Sequence, residues 1–156
     1  MIHYVRKYKG VWMIVYTGGT FDLFHSGHSR LLERCKNIAG VGGQVVVSVN
    51  PSEFCAQYKE PPICELFERM EVVSSCKWVD KVIINTGGAD SKPAILEAKA
   101  DVIVVGSDWE TKDYHKQMGF TQEWLDEHNI KVIFVPYSEH ISTTIIKSRI
   151  LDRMFQ

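Results

Sequence analysis

The chain has 156 residues, of which 45% are hydrophobic and 24% charged, and its 18 Lys and Arg against 19 Asp and Glu leave a formal net charge of −1. That is one domain's worth of chain with an ordinary soluble composition. The lack of a basic excess argues against a nucleic-acid partner, and no apolar run approaches the length that spans a bilayer, so neither a polymer-binding nor a membrane role is expected. A polyanionic ligand must then be met by a local site. The four cysteines, Cys35, Cys55, Cys64 and Cys76, show no C-x-x-C spacing, and the first residues show no secretory pattern. Free thiols in a cytoplasmic protein are the expectation.

Residues 1–11 are polar, basic and aromatic without a period; they read as an extension ahead of a domain spanning 12–156, with Met13 an equally good start. Val11–Tyr16 is a β-branched and aromatic run that stops at Gly18-Gly19 and reads as the first strand. Gly27 to Ile38 is expected to be helical, with Leu31, Leu32 and Cys35 on one face. Gln44–Val49 is a second strand, Asn50 to Pro62 a loop, Cys64–Ser75 an amphipathic helix and Val79–Ile84 a third strand. Pro93 opens a helix to Lys99, Asp101–Val105 is a fourth strand, and Thr111 to Asn129 is a polar segment with a short helix near Gln122–His128. Tyr114, His115 and Lys116 either line a pocket there or decorate a surface excursion, the latter being preferred. Lys131–Pro136 is the fifth strand and Ser142 to Met154 the closing helix. Continuous apolar strands alternating with helices indicate a doubly wound, Rossmann-like α/β domain with a five-stranded parallel sheet, whose ligands sit at the carboxyl ends of the strands.

The strongest signal is Gly18-Gly19-Thr20-Phe21-Asp22-Leu23-Phe24-His25-Ser26-Gly27-His28, between the first strand and the first helix. Glycines allow close backbone approach to a phosphate, and a helix start offers N–H groups and a favourable dipole to an anion. His25 and His28 are spaced to share one side of a helical turn, where both can donate to phosphate oxygens and stabilise charge on a transferring phosphorus. Gly27 between them is expected to leave room for a nucleotide. Two histidines fall short of the three protein ligands of a catalytic zinc, and a metal site with Asp22 as third ligand is not expected. A second signal, Glu139-His140-Ile141-Ser142-Thr143-Thr144, follows the fifth strand, where Ser and Thr suit a helix cap or a phosphate contact.

Together these stretches resemble the cytidylyltransferase family of nucleotidyltransferases, with its G-T-F-D-x-x-H-x-G-H and R-T-x-G-I-S-T-T signatures, and most closely its glycerol-3-phosphate branch. The likeness runs from about Met13 to Ile150. It implies transfer of CMP from CTP to a phosphorylated small alcohol with release of pyrophosphate, Mg²⁺ carried by the CTP phosphates, no protein metal ligand, and a homodimer. It implies catalytic roles for His25, His28 and Lys59. Nucleotide contacts are implied for Gly19, Thr20, Phe21, Ser26 and Gly27, for Gly106 and Asp108 of the Gly106-Ser107-Asp108-Trp109-Glu110 stretch, and for Tyr137, His140, Ile141, Ser142, Thr143 and Thr144. Acceptor contacts are implied for Asp22, Arg69 and Lys92. Lys77 and Asp80 also match family positions, where an ion pair explains them as well. Two positions depart from the signature: Tyr137 stands at the family's arginine and His140 at its glycine, and tyrosine supplies no cationic fork. The alternatives are an ATP-dependent adenylyltransferase of the same fold and a catalytically silent nucleotide-binding module.

Overall fold

The computed structural model describes residues 12–107 and 114–156 of the chain; the extension at 1–11 and Asp108, Trp109 and Glu110 lie outside the described residues. Valine-rich runs form the strands: β1 (Ile14–Gly19), β2 (Gln44–Val49), β3 (Lys81–Ile84), β4 (Val102–Ser107) and β5 (Lys131–Pro136). They make one all-parallel sheet in the order β3-β2-β1-β4-β5. The crossovers carry α1 (Ser26–Ala39), α2 (Ser52–Cys55), α3 (Leu66–Ser75), α4 (Lys92–Ala98), α5 (Tyr114–Met118) and α6 (Gln122–Glu127), and α7 (Thr143–Met154) follows β5.

Both faces of the sheet are covered, as the near-continuous apolar strands require. Strand side chains alternate between the two cores. Val15, Val45 and Val47 pack with Leu32 and Cys35 of α1 and Val73 of α3 on one face. Tyr16, Val46 and Ile103 pack with Ala94 and Ile95 of α4 and Leu125 of α6 on the other. Two short helices, α2 inside the expected Asn50–Pro62 loop and α5 inside the polar segment, are additions to the sequence reading. Four-residue and five-residue turns of helix carry too little periodicity to be seen in a sequence. Asp80 binds the ammonium of Lys36 at 2.8 Å and the N–H of Val45 at 2.8 Å, which makes it a structural partner. Lys77 lies over the ring of Trp78.

The chain leaves β1 toward β2 and β3 on one side and returns to β4 and β5 on the other. The crevice opened by this reversal lies between the carboxyl ends of β1 and β4, the place where open α/β sheets hold ligands.

Candidate active site

The turn from β1 into α1 is tightly constrained. Phe21 and Leu23 have φ of 54° and 46°, in the left-handed region that non-glycine residues seldom adopt. What holds them there is Asp22 between them. Its carboxylate accepts the N–H groups of Ile63 at 2.8 Å and Cys64 at 2.9 Å, tying the turn to the chain entering α3. Desolvation pushes this carboxyl upward, but those two N–H donors, with the charge of Lys147 and the N–H of Leu23, outweigh it and hold Asp22 below its ordinary range. Both oxygens are thus engaged within the protein.

The two histidines cap α1. The Gly27 N–H donates to His25 Nδ1 at 3.1 Å, and the His25 N–H donates to His28 Nδ1 at 3.2 Å. This is a capping box built from two imidazoles in place of the usual hydroxyl and carboxylate. The hydrogen bonds also assign the tautomers: with each Nδ1 accepting, each neutral ring carries its proton on Nε2. The rings stack with centroids 3.7 Å apart, and Phe21 and Phe24 flank His28 at 5.3 and 5.4 Å. Burial lowers His28 to about 3, aided by repulsion from His25 and Lys59 and opposed by Asp22; burial lowers His25 as well. At neutral pH the pair is therefore uncharged and offers N–H donors, not cations.

Gly27 also has a packing role within the protein. A Cβ there would lie 2.9 Å from His25 Cε1 and 3.3 Å from Ile141 Cγ2. The glycine makes room for the imidazole and for the segment preceding α7. Gly106 likewise makes room for a side chain: a Cβ would sit 2.8 Å from Cε1 of Tyr137, whose ring lies over the end of β4.

Arg69, expected to face an acceptor, points inward instead and is only 2% exposed. Its guanidinium donates to the carbonyls of Thr20 at 2.7 Å, Asn50 at 2.8 Å and Cys64 at 2.9 Å, and to the Ser52 hydroxyl at 3.2 Å. It braces the ends of β1 and β2 against α3. Lys59 reaches the same region from the opposite side, donating to Thr20 Oγ1 at 3.0 Å at the cavity wall.

The start of α7 meets this turn directly. Thr143 Oγ1 donates to the Asp22 carbonyl at 2.9 Å. Ser142 is the N-cap, its hydroxyl accepting from Ile145 N–H at 3.1 Å. The N–H groups of Thr143 and Thr144 precede the first helical bond, from Ile146 N–H to Ser142 C=O, and so remain as anion donors. His140, at the family's glycine position, has φ 64° and a side chain 93% exposed beside Glu139. It does not line the cavity, and its backbone conformation explains why a glycine suits the position.

These elements enclose a cavity of about 600 Å³, the size of a small-ligand site. Of the residues singled out in the sequence, Gly19, Thr20, Phe21, Asp22, His28, Lys59, Gly106, Tyr137, Thr143 and Thr144 line it. His25, Ser26, Gly27, Ile141, Ser142, Arg69, Lys92 and His140 are not among the lining residues; Asp108 lies outside the described residues. Lys147, Gln117 and Met118 also line it and were missed. Lys147 was legible, since it lies one helical turn beyond Thr143.

The match to known proteins agrees with this geometry. The family model described as cytidylyltransferase-like matches residues 16–149. The chain belongs to the cytidylyltransferase-like family. A glycerol-3-phosphate cytidylyltransferase of Bacillus subtilis (strain 168) is 35% identical over 87% of this chain and 95% of its own length. An FAD synthase of Korarchaeum cryptofilum (strain OPF8) is 31% identical over 85% of this chain and 88% of its own. Among solved structures, the lipopolysaccharide core biosynthesis protein of Thermoplasma volcanium GSS1 superposes with a TM-score of 0.66 at 26% identity, covering 84% of this chain and 100% of that one. Membership makes the chain a nucleotidyltransferase with a fold shared by its relatives. No helix among the described residues is long and apolar enough to cross a membrane.

Proposed function

We propose that the protein transfers CMP from CTP to the phosphate of a small phosphorylated alcohol, glycerol 3-phosphate first. An acceptor phosphate oxygen attacks the α-phosphorus in line, the bond from that phosphorus to the bridging oxygen breaks, and pyrophosphate leaves. The observation that carries this reading is the pair of facing helix starts, α1 with its two stacked neutral imidazoles and α7 with its uncapped N–H groups, around one cavity. His28 Nε2–H, supported by His25, stabilises the charge that develops on the transferring phosphoryl group. Lys59, Lys147 and the Thr143 and Thr144 N–H groups neutralise the triphosphate. Asp22 and Arg69 act by holding the turn, not by binding the acceptor.

Mg²⁺ fits this site as a passenger of the nucleotide. The carboxylates lining the cavity are Asp22 and Glu60, and no group of three or more metal-ligating side chains occurs among the described residues. With Asp22 occupied by backbone donors, the phosphates themselves would hold the ion, as is usual for this metal. When bound it supplies charge neutralisation on the leaving group.

A second reading, adenylyl transfer from ATP, is favoured by the FAD synthase relatives, whose identity and coverage approach those of the cytidylyltransferases. A silent nucleotide-binding module is the third. Purified protein incubated with Mg²⁺ and CTP or ATP, each with glycerol 3-phosphate or flavin mononucleotide, separates them by pyrophosphate release. Turnover is expected with CTP and glycerol 3-phosphate. Release only with ATP and the flavin would replace the first reading by the second, and binding without turnover across an acceptor panel would establish the third. The same reading carries a cytoplasmic homodimer, for which light scattering at micromolar protein should return twice the chain mass.

A further inference from the structure

Lys92 stands where the family resemblance places an acceptor contact, yet it is not among the residues that line the cavity. It binds the Asp90 carboxylate at 2.9 Å and donates to the backbone carbonyl of Gly119. Its neighbour Ser91, buried in the core edge, donates from its N–H to the Met118 carbonyl at 2.9 Å and from its hydroxyl to the same oxygen. The start of α4 is therefore buttoned to the end of α5 by three donors on two consecutive carbonyls. The fit is close: Gly119 has φ 77°, and a Cβ there would lie 2.9 Å from Asp90 Cα and 3.0 Å from the Ala89 carbonyl oxygen. Asp90 completes the clasp by accepting the Lys92 N–H at 3.0 Å.

What the clasp holds is a cavity wall. Gln117 and Met118, immediately before Gly119, line the cavity, and α5 sits in the long polar segment between β4 and β5. The phosphate-binding groups come from the α1 turn, Lys59 and α7. The α5 wall brings an amide and a thioether, chemistry that suits the uncharged part of a nucleotide.

We infer that Lys92 is a positioning residue: it fixes the α5 wall through Gly119 and thereby sets how tightly the cavity holds the nucleoside part of its substrate, which it never touches. The inference rests on the nucleotidyltransferase reading of the cavity. A loosened wall weakens ground-state and transition-state binding alike, so the effect falls on KM rather than kcat.

The test combines kinetics with equilibrium binding. Lys92→Met is expected to raise the nucleotide KM about tenfold with kcat changed less than twofold, and to weaken nucleotide binding by the same factor while leaving tripolyphosphate binding unchanged. Lys92→Arg, which keeps a donor, should restore most of it, and Gly119→Ala, which forces the two backbones apart, should reproduce the Lys92→Met split. A rise confined to the acceptor KM would mean that Lys92 contacts the acceptor, overturning the inference. So would a lowered melting temperature with both KM values intact, the mark of a purely structural tie. If Gly119→Ala does not fold, the Lys92→Met and Lys92→Arg pair alone decides. Wild-type protein that binds neither nucleotide nor tripolyphosphate would bring down the nucleotide reading and this inference with it; wild-type binding that Lys92→Met leaves unaltered would bring down the inference alone.

Discussion

The two helix starts that face each other across the cavity are built in opposite ways. The α1 mouth is anchored in depth: α1 buries Leu32, Cys35 and Ala39, and its histidines are locked by mutual capping and by Phe21 and Phe24. α7 buries no residue fully; Ile150, Leu151 and Met154 are exposed, and its start is tied to the site through the Thr143–Asp22 bond and the Ser142 cap. One mouth is a rigid template, the other an attachment. Chemistry that depends on sub-ångström placement belongs on the first, and ligand capture tolerates the second.

His28→Ala strikes the template hardest: kcat should fall by about 10²–10³-fold, the scale for a lost transition-state donor, while the missing half of the capping box costs only about 1 kcal/mol of stability. A loss of turnover under tenfold would show that the ring is not at the reacting phosphorus. Arg69→Met tests the template's foundation and should destabilise by about 3 kcal/mol, because three partly buried carbonyls lose a charged donor that is itself buried; chemical denaturation reads this, and a change under 1 kcal/mol would mean that the brace is idle. The imidazoles also predict an acid limb. Unfolded His28 takes up a proton near its ordinary 6.5, whereas the folded ring resists until about 3, so stability should be flat above pH 6.5 and fall with a slope of up to about 1.4 kcal/mol per pH unit below it. In His28→Gln that limb should shrink, as urea midpoints at pH 5 and pH 7 would reveal.

The attachment should answer more gently. Thr143→Val removes its link to the turn and is expected to cost about 1 kcal/mol, appearing as a nucleotide KM raised up to tenfold with kcat retained. A fall in kcat larger than the rise in KM would place α7 within the template after all. His140→Gly relieves a left-handed φ and should raise stability by up to about 1 kcal/mol without altering turnover, which thermal melts and steady-state assays would check.

The same contrast explains what the sequence disclosed. The sheet was legible because parallel strands buried on both faces read as unbroken valine runs; Gln44–Val49 and Lys131–Pro136 are found where expected. The motif turn was legible as a unit, since strand, glycines and histidines stand in one contiguous stretch. Side-chain direction was not. Arg69 and Lys92 have the composition of ligands, and only the carbonyls of Thr20, Asn50 and Gly119, distant in sequence, turn them inward. Gly27 and Gly106 were legible as small but not as small on behalf of His25 and Tyr137. Gln117 and Met118 escaped notice because their helix is five residues long.

The Arg69 guanidinium has one more consequence. It gathers carbonyls from the ends of two strands and from the lead-in to α3, so none of the three can come loose while the others keep their partners. In amide exchange, the floor of the nucleotide site and the second long helix of the chain should open together as a single cooperative unit, and a ligand seated on that floor should slow exchange in α3, a helix that contributes no residue to the cavity lining.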